Sequence, residues 1–236
     1  MKRKLALFDL DHTLIPIDSD YEWNAFTTTL GWHDPVEFNR RNDAFYEQYK
    51  AGTLDIFEYM RYATEALRVH GPIKSEAAHA RFMETVVRQA IRSQALTRVQ
   101  EHQAAGDAVV IVTATNEFVT RPIADAFGVA ELIAIQLARD PQSGWYNGEI
   151  AGTPSFREGK VKRVEEWLAR RGFPWGWAWR WGGRYGAGAV GGLAGWWGGG
   201  LFVGGAGWGF EWGGWGAVAG LVLAVLYAAF SGWGVP

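Results

Sequence analysis

A chain of 236 residues with 23 Lys and Arg against 25 Asp and Glu has a formal net charge of −2, which leaves no basic footprint for nucleic acid. The absence of Cys excludes disulfides and thiolate metal sites and fits a reducing cytoplasm, the expected location. The length holds one α/β core and a small accessory domain. Met1-Lys2-Arg3-Lys4 is a basic start, but the apolar run after it stops at Asp9, too short for the core of a signal peptide.

Leu5-Ala6-Leu7-Phe8 reads as a buried strand with Asp9 at its end and Asp11 two residues along the turn. In open α/β sheets ligands bind beyond the carboxyl ends of the strands, so both carboxylates open into the crevice. There one of them can attack phosphorus while the other handles the proton of the leaving group. After Asp18, apolar and aromatic residues recur at helical spacing (Phe38, Phe45, Tyr49; Phe57, Met60, Leu67), punctuated by Gly52, Gly71 and Pro72. Residues 18 to about 92 are thus expected to form a small helical bundle. A helix over 94–105 and a turn at Gly106-Asp107 lead to a second buried strand from Ala108 to Val112, which runs into Thr113-Ala114-Thr115-Asn116. A hydroxyl there, just ahead of a helix N-terminus over 117–129, suits a phosphate oxygen, with main-chain N–H groups of Thr113 and Ala114 beside it. A third strand is expected over 131–137 and a hairpin with its turn near Ser143-Gly144. An amphipathic helix follows, opened by Gly159-Lys160 and carrying Val161, Val164 and Leu168 on one face.

Asp9-Leu10-Asp11-His12-Thr13-Leu14 resembles the first motif of the haloacid dehalogenase (HAD) superfamily. Thr113 resembles its second motif and Lys160 its third, with Lys162 as the competing lysine. The wording across residues 4–172 is most similar to subfamily IB, the group of phosphoserine phosphatase and some histidinol-phosphate phosphatases. The resemblance implies an α/β, Rossmann-like parallel sheet as core (1–17 and 93–174) with an inserted α-helical cap (18–92). It implies a Mg²⁺-dependent phosphatase acting on a small phosphorylated metabolite such as phosphoserine or histidinol phosphate. In that scheme Asp9 is the nucleophile that becomes an aspartyl-phosphate, and Asp11 is the general acid and base. Asp9 and Asp11 also hold the metal, while Thr113, Ala114 and Lys160 hold the phosphoryl oxygens. Asp18 falls in the slot that reads a substrate amine, and Arg61 is the candidate for a substrate carboxylate. Phosphotransfer to another acceptor, as in mutase members, is the alternative activity.

The fourth motif of that family, an acidic pair completing the Mg²⁺ site, is absent. No Asp follows Asp140, and beyond Lys160 the only carboxylate side chains are those of Glu165, Glu166 and Glu211. Where it should lie the composition changes: residues 175–236 hold 10 of the 14 Trp and 21 of the 31 Gly, but only three charged residues, Arg180, Arg184 and Glu211. Such a Gly-rich stretch lacks the charge pattern of a folded surface. The first reading of it is a reading-frame shift near Phe173-Pro174 in a G-rich gene, giving a catalytically impaired product. A buried segment replacing the last core strands is the second. A membrane tail through residues 217–230 is the third; that run is shorter than the roughly 20 residues that span a bilayer.

Overall fold

The computed structural model describes residues 5–172. Three parallel strands, β1 (Leu5–Phe8), β2 (Ala108–Asn116) and β3 (Glu131–Ile135), form a sheet in that order. Leu5 stands opposite Ala108, and Val110 opposite Glu131. The strands are apolar on both faces because helices cover both. Leu5, Leu7, Val110, Val112 and Ile133 pack against Val164, Trp167 and Leu168 of α8 (Glu158–Arg170). The alternate residues Ala6, Phe8, Val109, Ile111 and Ile135 join the larger cluster on the other face, built around Trp23, Met60, Leu67 and Phe82. This layering is Rossmann-like. α6 (Ser93–Ala104) leads into β2, and α7 (Glu117–Ala126) follows it.

Between β1 and β2 lie α1 (Ser19–Thr29), α2 (Pro35–Ala51), α3 (Ile56–Ala63), α4 (Glu65–Phe82), a π-turn (Met83–Val87) and α5 (Arg88–Ala90). Asp18, Asp34 and Asp55 cap the first three, each carboxylate accepting two N–H groups of the first turn that would otherwise lack partners. α4 kinks at Gly71, which has φ 70°. Pro72 follows there without an N–H to donate.

The third strand expected over 131–137 is divided in the structure. β3 stops at Ile135, and β4 (Leu137–Arg139) pairs antiparallel with β5 (Tyr146–Ile150) in a separate sheet. Two hydrogen bonds force the exit: the Glu117 carboxylate accepts the Leu137 N–H at 3.2 Å, and the Gln136 carbonyl accepts the Ala151 N–H at 2.8 Å. The hairpin then docks on the inserted helices. Trp145 Nε1–H donates to the Leu67 carbonyl at 2.7 Å, and Arg61 pairs with Glu149 at 3.3 Å.

Among the described residues β1 has one neighbouring strand, β2. The position of a fourth-motif strand and the whole Gly/Trp-rich segment lie outside the described residues. No described helix is long and apolar enough to cross a membrane; residues 217–230 are again outside.

His79 of α4 is buried against Trp23, Phe82 and Phe118 and donates Nε2–H to the Val119 carbonyl at 3.0 Å. Burial pushes its pKa down to about 4. The folded state therefore rejects a proton that the unfolded chain accepts below its ordinary value of 6.5. Stability from this group is complete above that value and is lost as pH falls towards 4, by on the order of 3 kcal/mol. Compared with the wild type, His79→Gln is expected to lose less stability between pH 7 and 4.5, as read by denaturant melts across that range.

Candidate active site

The turn after β1 is built around one carbonyl. The N–H groups of Thr13, Leu14 and Ile15 all point at the Leu10 oxygen, at 2.9 to 3.2 Å. Leu10, Leu14 and Ile15 are buried, so apolar side chains pin the loop from inside. His12 crosses to φ 56° to close it. With Leu10 pointing inward, Asp9 and Asp11 project from the carboxyl end of the sheet.

Lys160 reaches Asp9 from the start of α8, Nζ to Oδ1, at 3.0 Å. The ammonium is 11% exposed and the carboxylate 29%, so the pair sits at the floor of an opening. Gly159 makes this approach possible: a Cβ there would be driven into the Pro154 carbonyl oxygen.

Asp11 lies deeper. Its Oδ1 accepts the Ser19 N–H at 2.8 Å, and its Oδ2 accepts the hydroxyls of Thr113 at 3.2 Å and Thr115 at 2.9 Å. Burial, reinforced by the charges of Asp18 and Asp9 and opposed by Ser19, pushes its pKa up to about 6. The two threonines converge because β2 bulges there. Val112 pairs with Ile133 and Asn116 with Ile135, so two extra residues are looped out of β2. Bulges of this kind re-aim side chains beside active sites. Ala114 is the only residue of β2 that is not buried. Ser155 Oγ–H holds the bulge by donating to the Thr113 carbonyl at 2.6 Å.

Asp9, Asp11, Thr113, Ala114 and Lys160 are thus gathered at one end of the sheet. The Thr113 hydroxyl, expected on a phosphate oxygen, is donated to Asp11 instead. Asp18 uses its Oδ1 to cap α1. Arg61 is spent on Glu149 and is not brought to the Asp9–Asp11 pair. Lys162, the competing lysine, stands away from the contact that Lys160 makes.

The sequence reading missed Thr115, Ser155 and a hydrogen-bonded trio beside Asp11: Asp20, Tyr59 and Asn116. Asp20, 4% exposed, accepts Tyr59 Oη–H at 2.6 Å and Asn116 Nδ2–H at 3.3 Å. Burial, with the charges of Asp18 and Asp11, pushes the Asp20 pKa up to about 7; the Tyr59 hydroxyl is raised in turn, by burial and by Asp20. The available signals were the T-x-T spacing, which puts both hydroxyls on one face of a strand, and a second acid at Asp20 after Asp18.

The donors suit a hard divalent cation in kind. Negative charge from Asp9 and Asp18 already burdens Asp11, and oxygen is the ligand type Mg²⁺ takes. Among the described residues no three His, Cys, Asp or Glu side chains converge as a metal cluster. Mg²⁺ takes few protein ligands, keeping waters and substrate phosphate as the others. With the Asp11 carboxylate taken by Ser19, Thr113 and Thr115, the Asp9 carboxylate and the Asp11 main-chain oxygen are the donors that fit it.

Comparison with known proteins decides the family. Residues 6–182 match the haloacid dehalogenase-like hydrolases. The chain belongs to that family. It is 36% identical over 170 residues to a histidinol-phosphatase of Neisseria meningitidis, covering 72% of this chain and 76% of that one. A crystal structure of a protein of unknown function from Bordetella pertussis Tohama I is 48% identical, with TM-score 0.69, covering 75% of this chain and 78% of that one. A substrate-bound phosphoserine phosphatase shares the fold of this HAD member at 18% identity and TM-score 0.51, covering 74% of each chain.

Asp20 titrates opposite to His79. Its folded pKa lies above the ordinary 3.8, so its burial costs stability progressively as pH rises from about 4 to 7. Asn can replace it without orphaning a partner, with Oδ1 accepting from Asn116 and Nδ2 donating to Tyr59. Relative to the wild type, Asp20→Asn is expected to gain stability at pH 8 and little at pH 4.5, giving a melting temperature several degrees higher at the upper pH.

Proposed function

We propose that this chain is a Mg²⁺-dependent phosphomonoesterase of the HAD IB type that acts on a small phosphorylated metabolite, histidinol phosphate foremost. The observation that carries the reading is the division of labour between two carboxylates. Asp9 is ion-paired to Lys160, while Asp11, half-buried, accepts three hydrogen bonds and has its pKa lifted to about 6. Two acids pushed into different environments by their surroundings are what an acid–base and nucleophile pair requires. The relative named histidinol-phosphatase supports the substrate class.

In this reading Asp9 attacks phosphorus in line and the bond to the leaving oxygen breaks. Asp11 delivers its proton to that oxygen, so an alcohol departs. Asp11 then takes a proton from water as the water oxygen bonds to phosphorus, and the Asp9–phosphorus bond breaks to release phosphate. Lys160 offsets charge on the carboxylate and the phosphoryl oxygens. The main chain at Ala114 adds N–H donors, while Thr113 and Thr115 hold Asp11 in place. Mg²⁺ would be held by the Asp9 carboxylate and the Asp11 main-chain oxygen, and would supply charge screening between the two anions that must meet. Helices α1–α5 act as the cap (18–92) over the core (1–17 and 93–174) and exclude bulk water.

A second reading, a catalytically impaired relative that keeps the phosphate pocket, is favoured by the lack of a third converging carboxylate among the described residues. Metal dependence separates the two. With histidinol phosphate, turnover is expected to need Mg²⁺, to vanish with chelator and in Asp9→Asn, and to fall by about 10²–10⁴ in Asp11→Asn. Turnover no greater than that of Asp9→Asn at saturating Mg²⁺, from folded protein, establishes the impaired reading.

A further inference from the structure

Two described residues other than glycine have positive φ, and they flank the site: His12 next to Asp11, and Arg157 three residues before Lys160. Arg157 sits at φ 50°, ψ −126°, a conformation that is strained for a residue with a side chain and survives where the surroundings impose it. The imposed position is specific. The guanidinium lies over the Phe156 ring, 4.8 Å from its centroid, and is partly buried. Among the described residues it has no ion-pair partner. Phe156 in turn meets Tyr49 of α2, with centroids 6.5 Å apart and planes at 46°, so an aromatic contact joins the inserted helices to the loop ahead of α8.

This contact borders the reacting groups. Burial and the charges of Asp18 and Asp9 push the Tyr49 hydroxyl up, and Arg157 pulls it back. The Arg157 carbonyl accepts the Lys160 N–H at 3.0 Å, and the Lys160 ammonium contacts Asp9 at 3.0 Å, so the Tyr49–Phe156–Arg157 contact lies beside the opening over Asp9, on the side of the inserted helices. The negative carboxylates there oppose an anionic leaving group. What the rim offers instead is flat polarisable surface: two rings, and a planar, weakly hydrated guanidinium that stacks on π-faces.

We propose that Tyr49, Phe156 and Arg157 form the specificity rim of this site and select phosphate esters whose leaving group carries a flat unsaturated ring. The proposal rests on the phosphatase reading and names the substrate feature it selects. The test compares kcat/KM at pH 8 for histidinol phosphate and O-phosphoethanolamine, which share a phosphate and an amine but differ in the ring. Calorimetric Kd values for both esters are measured on Asp9→Asn protein. The variants are Phe156→Leu and Arg157→Gly; glycine accepts the positive φ without strain, so the latter keeps its fold. The wild type is expected to prefer the ring ester, and each variant to cut that preference about tenfold in both kcat/KM and Kd. An unchanged ratio, or equal loss on both esters, overturns the rim. Absent turnover with ring-selective binding that Arg157→Gly removes would sink the phosphatase reading and keep the rim. Equal turnover of both esters by the wild type keeps the phosphatase and removes the rim; no binding of either ester removes both.

Discussion

Four carboxylates crowd the stretch from the end of β1 into the first turn of α1, at positions 9, 11, 18 and 20, and among the described residues a single ammonium, that of Lys160, contacts them. Like charges at this density cannot all stay ionised in a buried setting. The structure sorts them by depth. Asp9 keeps its charge partner, and Asp18 spends its oxygen on the N-terminus of α1, where the helix dipole favours an anion. Asp20 sinks fully below the surface and Asp11 in part, and burial lifts both towards the neutral range. Each of the sunken pair is then given hydrogen bonds by a different part of β2: Asp11 by Thr113 and Thr115, Asp20 by Asn116. The bulge that brings these three to bear is therefore a consequence of where the acids must go.

Burial of ionisable groups on opposite sides of neutrality has a compensating effect on the molecule. Folding expels a proton from His79 and captures one at Asp20. Between about pH 4 and 6.5 the two exchanges oppose each other, so their combined contribution to the pH slope of stability is close to nil. Each single change uncovers the other.

Much of the frame was legible because it depends on local pattern. Apolar runs ending in Asp9 and Thr113, the Gly-Lys opening of α8 and the breaks at Gly52, Gly71 and Pro72 are all written in short stretches, and the Rossmann-like parallel sheet with helices follows from their order. The hairpin ahead of α8 was equally readable from its turn residues. What escaped depends on contacts across the chain. Nothing near Gln136 shows that Glu117 will capture the Leu137 N–H and end the strand early. Nothing in T-A-T-N shows that two residues will be looped out, so Thr113 looked like a phosphate donor while its hydroxyl faces Asp11. Arg61 was the cap arginine expected to read a substrate carboxylate, and no local pattern shows that Glu149, 88 positions away, pairs with it.

The Asp9–Lys160 contact joins residues 151 positions apart. Loops this long close slowly, because the entropy lost on closing must be met before the contact returns anything. On the ribosome the acidic turn emerges near the start of synthesis and the lysine near the end of the described chain. For most of translation, then, Asp9 exists without the ammonium that pairs with it in the folded chain. Assembly of the Asp9–Lys160 pair is in this sense a late event in the life of each molecule, gated by arrival of the helix that carries Lys160.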